Sequence, residues 1–165
     1  MIEGTLCFVR DGGQVLLIEK RRGLGAGWYN GPGGTCEPGE TPSECIVREV
    51  CEEVGIDVAG PALEKVGDLT FVLDDRPRIN CHVFRTTEFA GEPRPSAEAR
   101  PEWFAIDDVP YDRMWEDDRH WLPGVLAGKT VRGTFFFEGG EPLDEADFVD
   151  YQLSWGVTFD EPSCI

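Results

Sequence analysis

The chain has 165 residues, 41% of them hydrophobic, with five Trp, three Tyr and ten Phe, so it can bury a core, and residues 1–165 read as one ordered domain. Thirty-two acidic residues against fifteen basic give a formal charge of −17, a field that repels nucleic acid. No apolar run is long enough to span a membrane, and Met1-Ile2-Glu3-Gly4 lacks the basic-then-apolar pattern of a leader, so a cytoplasmic protein without nucleic-acid or membrane partners is expected.

Thr5 to Val9 is strand-like, Asp11-Gly12-Gly13 signals a turn, and Val15 to Ile18 resumes the apolar run, which together predict a hairpin. Lys20-Arg21-Arg22, a run of three cations, leads into a glycine-rich stretch holding Gly23, Gly25, Gly27, Gly31, Gly33 and Gly34. In so acidic a chain that run is a phosphate contact or a solvated basic turn. The glycines make a segment that is flexible or tightly turned, without the GxxxxGK[ST] spacing of a P-loop.

Thr41 supplies a capping hydroxyl, Pro42 suits the first helical position and Glu44 completes a capping box, while Gly55 can close the helix, so one is predicted over about 42 to 54. At ~100° per residue Ile46, Val47, Val50 and Val54 share one arc and Glu49, Glu52 and Glu53 another. Like charges three and four residues apart weaken a helix. Either the acids form a solvated face or they surround a cation, and hard oxygen donors suit Mg²⁺ or Mn²⁺.

Val66 to Leu73 and Ile79 to Thr87 are strand-like around Asp74-Asp75-Arg76-Pro77, a second hairpin signal. Glu88 to Pro95 reads as a polar loop, Glu102 to Ile106 as a short strand and Asp107 to Tyr111 as a turn. Trp121, Leu122, Val125 and Leu126 recur at helical spacing and predict a second helix over about 118 to 127, with Pro123 tolerated only near its first turn. Val131 to Phe137 and Phe148 to Trp155 flank Gly139-Gly140 as a last hairpin. The pattern predicts a mixed α/β (α+β) fold, one mixed sheet covered by helices. Cys7, Cys36, Cys45, Cys51, Cys81 and Cys164 show no CxxC spacing, so buried or incidental thiols are expected. The acidity, with Lys20, Lys65 and Lys129 the only lysines, fits a salt-rich cytosol or charge kept for solubility.

Gly34, Glu40, Arg48-Glu49, Glu52-Glu53, Gly55 and Ile56 stand at spacings that resemble the Nudix box. The resemblance implies a Nudix hydrolase with an α/β/α sandwich, whose box helix carries a divalent metal, Mg²⁺ with Mn²⁺ as the alternative. It further implies that Arg48 orients the acids and that Glu49, Glu52 and Glu53 are the metal-binding and catalytic glutamates.

Beyond the box, Lys20, Arg22-Gly23, Gly25-Ala26-Gly27, Asn30-Gly31, Gly33-Gly34, Arg100-Pro101, Trp103-Phe104, Met114-Trp115, Asp117-Asp118 and Trp121 resemble the MutT-homologue branch, the 8-oxo-dGTP diphosphatases. By that resemblance Asn30, Asp117 and Asp118 hydrogen-bond a base, Trp115 stacks on it, and Thr5, Lys20 and Phe71 line its pocket. Gly33 offers a carbonyl to metal, and Glu98 is a further carboxylate near the scissile phosphate. The expected reaction, in a monomer, converts a small-molecule oxidised purine triphosphate to monophosphate and pyrophosphate, with Glu53 or Glu98 as base. The chain departs from that branch at Leu24, Tyr29 and Pro32. The plainer alternatives are that Trp115 is core and Asp117-Asp118 cap the following helix. Rival readings are a Nudix hydrolase of another nucleotide substrate and a nucleotide-binding module without catalysis.

Overall fold

The computed structural model describes residues 1–159, and Cys164 lies outside the described residues. Strand β1 (Ile2–Asp11) turns through Gly12, at φ +59°, into antiparallel β2 (Gln14–Lys20). Next come β3 (Tyr29–Asn30), helix α1 (Pro42–Val54), β4 (Asp57–Val58), β5 (Glu64–Leu73), β6 (Arg76–Thr86), β7 (Phe89–Ala90) and β8 (Ala99–Ala105). Helix α2 (Asp118–Leu126), β9 (Val131–Glu138) and β10 (Asp147–Trp155) follow. The main sheet has the order β10-β9-β5-β6-β1-β2-β3, with β8 paired on β2. It is mixed: β1 runs parallel to β6 and β5 parallel to β9, and the other neighbours are antiparallel.

Helix α1 starts and stops as its sequence predicts. Thr41 Oγ1 accepts from the Glu44 N–H at 3.1 Å, Glu44 Oε1 accepts from the Thr41 N–H at 2.9 Å, and Gly55 takes the left-handed conformation at φ 73°. Its apolar arc buries Ile46, Val50 and Val54 against Cys7, Val9, Leu16, Ile18 and Phe84 on one face of the sheet. On the opposite face α2 buries Trp121, Leu122, Val125 and Leu126 against Phe8, Val15, Leu17 and Val66. Neighbouring residues of β1 and β2 thus go alternately to two cores, as in strands covered on both sides. The result is an α/β/α sandwich.

Several boundaries differ from expectation. β3 is a two-residue strand inside the glycine-rich stretch, and β7, within the expected polar loop, pairs with β4 just after α1 as another short ladder, all too short to show periodicity. β8 starts three residues early, taking in Pro101 opposite Ile18, because among the named strands it pairs only with β2 and an edge tolerates the missing N–H. The second hairpin turns on Asp74-Asp75 alone, at φ 47° and 64°, and Asp74 accepts from the Gly139 and Gly140 N–H groups across the adjoining hairpin. Pro123 sits in the interior of α2 and not in its first turn. Its lost hydrogen bond is offset by the fully buried Trp121, Leu122 and Val125. Cys7, Cys36, Cys45, Cys51 and Cys81 are free thiols, as expected.

Candidate active site

The three acids of the α1 arc end up in three environments. Glu52 is 60% exposed, Glu49 16% and Glu53 6%. Arg48 organises the first two. Its Nε and Nη2 grip Glu40 Oε2 and Oε1 at 2.7 and 2.8 Å, Nη1 donates to Glu49 Oε1 at 2.9 Å and Glu52 Oε2 at 3.2 Å, and Nη2 also reaches the Thr35 carbonyl at 3.2 Å. The forked bond from Arg48 holds the Glu40 carboxyl down at about 2, while burial raises that of Glu49 against the pull of Arg48.

Glu53 points inward. The Gly33 N–H donates to its Oε1 at 2.7 Å, yet burial, aided by the nearby charge of Glu49, pushes its carboxyl up to about 7. The glycines here serve close approach. A methyl on Gly33 would lie 1.9 Å from the Thr5 carbonyl oxygen, and one on Gly34 2.5 Å from the Glu49 carboxyl. Thr5 N–H donates to the Gly34 carbonyl at 2.9 Å and Cys7 N–H to the Pro32 carbonyl at 2.8 Å, fixing this loop along β1. The Thr5 hydroxyl joins in, donating to Gly34 at 3.1 Å.

A cavity of about 340 Å³ is lined by Glu53 and Gly33 together with Trp115, Asp117 and Asp118. Thr5, Lys20, Asn30 and Phe71 also border it. Asn30 Oδ1 accepts from the Gly31 N–H at 2.8 Å, and Phe71 stacks on Phe135 with ring centroids 5.4 Å apart. Asp117 and Asp118 are 1% and 3% exposed. Asp117 Oδ2 accepts from the Trp121 indole N–H at 3.0 Å. With both carboxyls ionised, Asp117 Oδ1 and Asp118 Oδ2 have no donor among the described residues. Desolvation raises both carboxyls, and the charge of Asp117 adds to the rise at Asp118, so the pair holds a proton more readily than free aspartates do. A capping role does not account for them, because Asp117 at the cap position makes no side-chain capping bond to the helix backbone and Asp118 is buried. Trp115 is only partly buried.

Residues 3–125 match the NUDIX domain family. The chain belongs to the Nudix family. It is 41% identical over 142 residues to the oxidized purine nucleoside triphosphate hydrolase of Danio rerio, covering 86% of this chain and 90% of that one. With the protein of the same name from Mus musculus the figures are 37% over 150 residues, 90% and 92%. In structure it is similar to a MutT protein from Bacillus halodurans, with a TM-score of 0.76 at 31% identity over 93% of this chain and 97% of that one.

Nudix hydrolases generally use divalent metals and act on small-molecule nucleotide substrates. Among the described residues no three acidic side chains already converge as a ready metal cluster, because Glu49 and Glu52 lean on Arg48 and Glu53 on Gly33. The donor set still fits a hard cation. It is all oxygen, its members repel one another across one helix face, and the raised carboxyls of Glu49 and Glu53 are what a bound positive charge relieves.

Glu98 lies outside the cavity lining, held by Arg22 Nε and Nη2, and that guanidinium keeps its carboxyl below the usual range. Of the three-cation run only Lys20 borders the cavity. The sequence reading missed Trp28, Ile79, Cys81 and Leu143, which also border it. Trp28 left a trace, a large aromatic among glycines; Leu143 left none, arriving on a loop tied back by the bond from the Gly25 N–H to Asp144 Oδ2 at 2.8 Å.

Proposed function

We propose that this Nudix hydrolase converts oxidised purine nucleoside triphosphates of the 8-oxo-dGTP type to the monophosphate and pyrophosphate, and so cleanses the nucleotide pool on which DNA synthesis draws. The observation that carries this reading is the single cavity shared by the buried Asp117-Asp118 pair and by Glu53 of the box helix. A protonated Asp118 donates and an ionised Asp117 accepts, a pattern suited to a purine edge with both kinds of group, and Asn30 adds an amide. Trp115 offers a face for stacking. The named activity of the fish and mouse relatives supports the same substrate class.

On this proposal Glu49, Glu52, Glu53 and the Gly33 carbonyl hold Mg²⁺, or Mn²⁺ in its place, which when bound offsets phosphate charge and acidifies a water. Arg48 keeps Glu49 and Glu52 turned to the same side, and Lys20 meets a phosphate oxygen. Glu53 takes the proton from the attacking water. It lines the cavity, whereas Glu98 lies outside the lining and is occupied by Arg22. Residues 1–165 act as one Nudix domain and one monomer in the cytoplasm, and no helix among the described residues is long and apolar enough to cross a membrane. Neither a nucleic acid nor a membrane is required as partner.

The test is a panel of oxidised purine, ordinary purine and pyrimidine triphosphates and a nucleotide sugar, with products separated by chromatography. The highest kcat/KM should fall on the oxidised purines, with pyrophosphate released. A preference for the nucleotide sugar, or release of inorganic phosphate alone, defeats the reading. Binding without turnover would make the chain a sensing module.

A further inference from the structure

Trp28 is a cavity residue to which nothing above assigns a task. Its neighbour Tyr29 is 3% exposed and goes into the core, edge-on to Phe104 at 5.2 Å with its hydroxyl donating to Glu102 Oε1 at 3.2 Å. Both residues border the cavity, but Trp28 is only half-buried. Its backbone is pinned, for the Trp28 N–H donates to the Gly25 carbonyl at 3.0 Å and its own carbonyl accepts from the Lys20 N–H at 3.0 Å. The side chain stands almost square to Trp115, with ring centroids 5.1 Å apart and planes at 81°. Trp115 in turn meets Phe137 at 89°, and Gly25 leaves the room it needs, since a methyl there would lie 3.0 Å from the indole nitrogen.

Two perpendicular rings cannot both stack on one flat base. A base lying parallel to Trp115 therefore presents its edge to Trp28, and how far that edge reaches depends on the size of the ring system. Trp28 also borders a second hollow with Asp112, Met114 and Arg119, so removing it opens the cavity wall in that direction. We propose that Trp28 is a specificity-determining residue of this site, a side wall at right angles to the stacking residue that favours purine-sized bases over pyrimidines. The inference rests on the assignment of this cavity to the base.

The experiment compares Trp28→Ala and Trp28→Phe with the wild type on 8-oxo-dGTP, dGTP and dCTP, reading kcat and KM separately, with the melting temperature as control for folding. The loss of an aromatic contact should raise KM for both purine nucleotides about three- to tenfold in Trp28→Ala. kcat should hold, dCTP should change little, and Trp28→Phe should recover most of the loss. Unchanged purine KM overturns the proposal, and so does an equal loss on dCTP or a fall confined to kcat, since a mere loop support would act on all substrates alike. If Trp28→Ala melts far below the wild type, Trp28→Phe decides alone: a purine KM raised by part of that factor with dCTP unaffected upholds the wall, and any other pattern overturns it. A wild type indifferent to oxidation of the base would sink the proposed substrate, while the comparison of dGTP with dCTP would still judge Trp28.

Discussion

The protein treats two groups of carboxylates in opposite ways, one reaching the cavity only through Glu53 and the other lining it directly. Along α1, Arg48 supplies a counter-charge to Glu40, Glu49 and Glu52, and the group keeps partial access to water. At the start of α2, Asp117 and Asp118 are buried without a cation, with the Trp121 indole as the side-chain donor seen on them. The first arrangement balances carboxylates against a guanidinium; the second, lacking one, favours retention of a proton, and on the proposed function it is the one that would read the base. Glu53 lies between the two regimes, buried like the aspartates but part of the charged face, and its carboxyl near 7 reflects that position.

The sharpest way to break the comparison is to change Glu53. In Glu53→Gln the amide oxygen still accepts from the Gly33 N–H, so the loop is kept, but no proton can be taken. Turnover should fall by about 10²–10⁴ with KM for the oxidised purine little changed. Turnover within about threefold of wild type would remove Glu53 from the chemistry, and the same assay on Glu98→Gln tells whether that residue bears the loss instead.

Next in size are changes to the aspartates. Asp117→Ala or Asp118→Ala removes a hydrogen bond of charged character and should lower kcat/KM for 8-oxo-dGTP relative to dGTP by roughly 10- to 100-fold. Asp118→Asn keeps a donor without needing a proton. Because burial and the charge of Asp117 raise the Asp118 carboxyl, its proton persists to higher pH than that of an ordinary aspartate, so the wild-type KM for the oxidised purine should climb as pH rises through that titration while that of Asp118→Asn stays flat. Parallel pH profiles of KM for the two proteins would contradict this account of the pair.

How legible these regions were differs for a physical reason. The α1 group is local: a capping box, one turn spacing and one arginine are contiguous in the chain, so Arg48, Glu49, Glu52 and Glu53 could be read from periodicity and a box resemblance. The burial of Glu53 beneath a packed glycine loop could not, since Gly33 and Gly34 read equally well as flexible. The α2 group is non-local. Asp117 and Asp118 came forward only through resemblance, because two adjacent aspartates before a helix look like a cap, and only β1, β2 and the glycine loop, brought together by the sheet, make them the wall of a cavity. Trp28 and Leu143 depend wholly on that assembly. A mixed sheet covered by helices was readable from hairpin signals and two apolar arcs, the sandwich itself from the box resemblance, whereas β3, β4 and β7 are two residues each and carry no period to read.

A smaller effect lies in stability. The folded Glu53 carboxyl, at about 7, is above its ordinary 4.5, so its protonated form stabilises the fold. That contribution is complete below about pH 4.5 and is lost as pH rises through 7, a total of roughly 3 kcal/mol by linkage. In chelator-treated protein, Glu53→Gln should match the wild type near pH 4.5 and exceed it at pH 8. Calorimetry at both pH values checks this, and a mutant no more stable at pH 8 would mean that Glu53 is not strained when ionised.

The smallest expected effect separates the two groups by screening. At −17 the exposed acids repel over a Debye length of about 10 Å at 0.1 M salt, falling to about 3 Å at 1 M, whereas the buried aspartates interact through protein and are screened little. Added KCl should therefore raise the melting temperature, by about 2–4 °C for each kcal/mol of repulsion removed. Screening also weakens the partly exposed pairs of Arg48, which works in the other direction, so Arg48→Ala should gain more from salt than the wild type does. Ion pairs of this kind contribute only about 0–1 kcal/mol each, too little to reverse the sign set by so large an imbalance of charge. The preference for 8-oxo-dGTP over dGTP, proposed to be set at the buried pair, should stay constant across the same range. A melting temperature that falls with KCl would show the surface to be organised by attraction, and a preference that drifts with KCl would show the aspartates to be wetter than their burial implies.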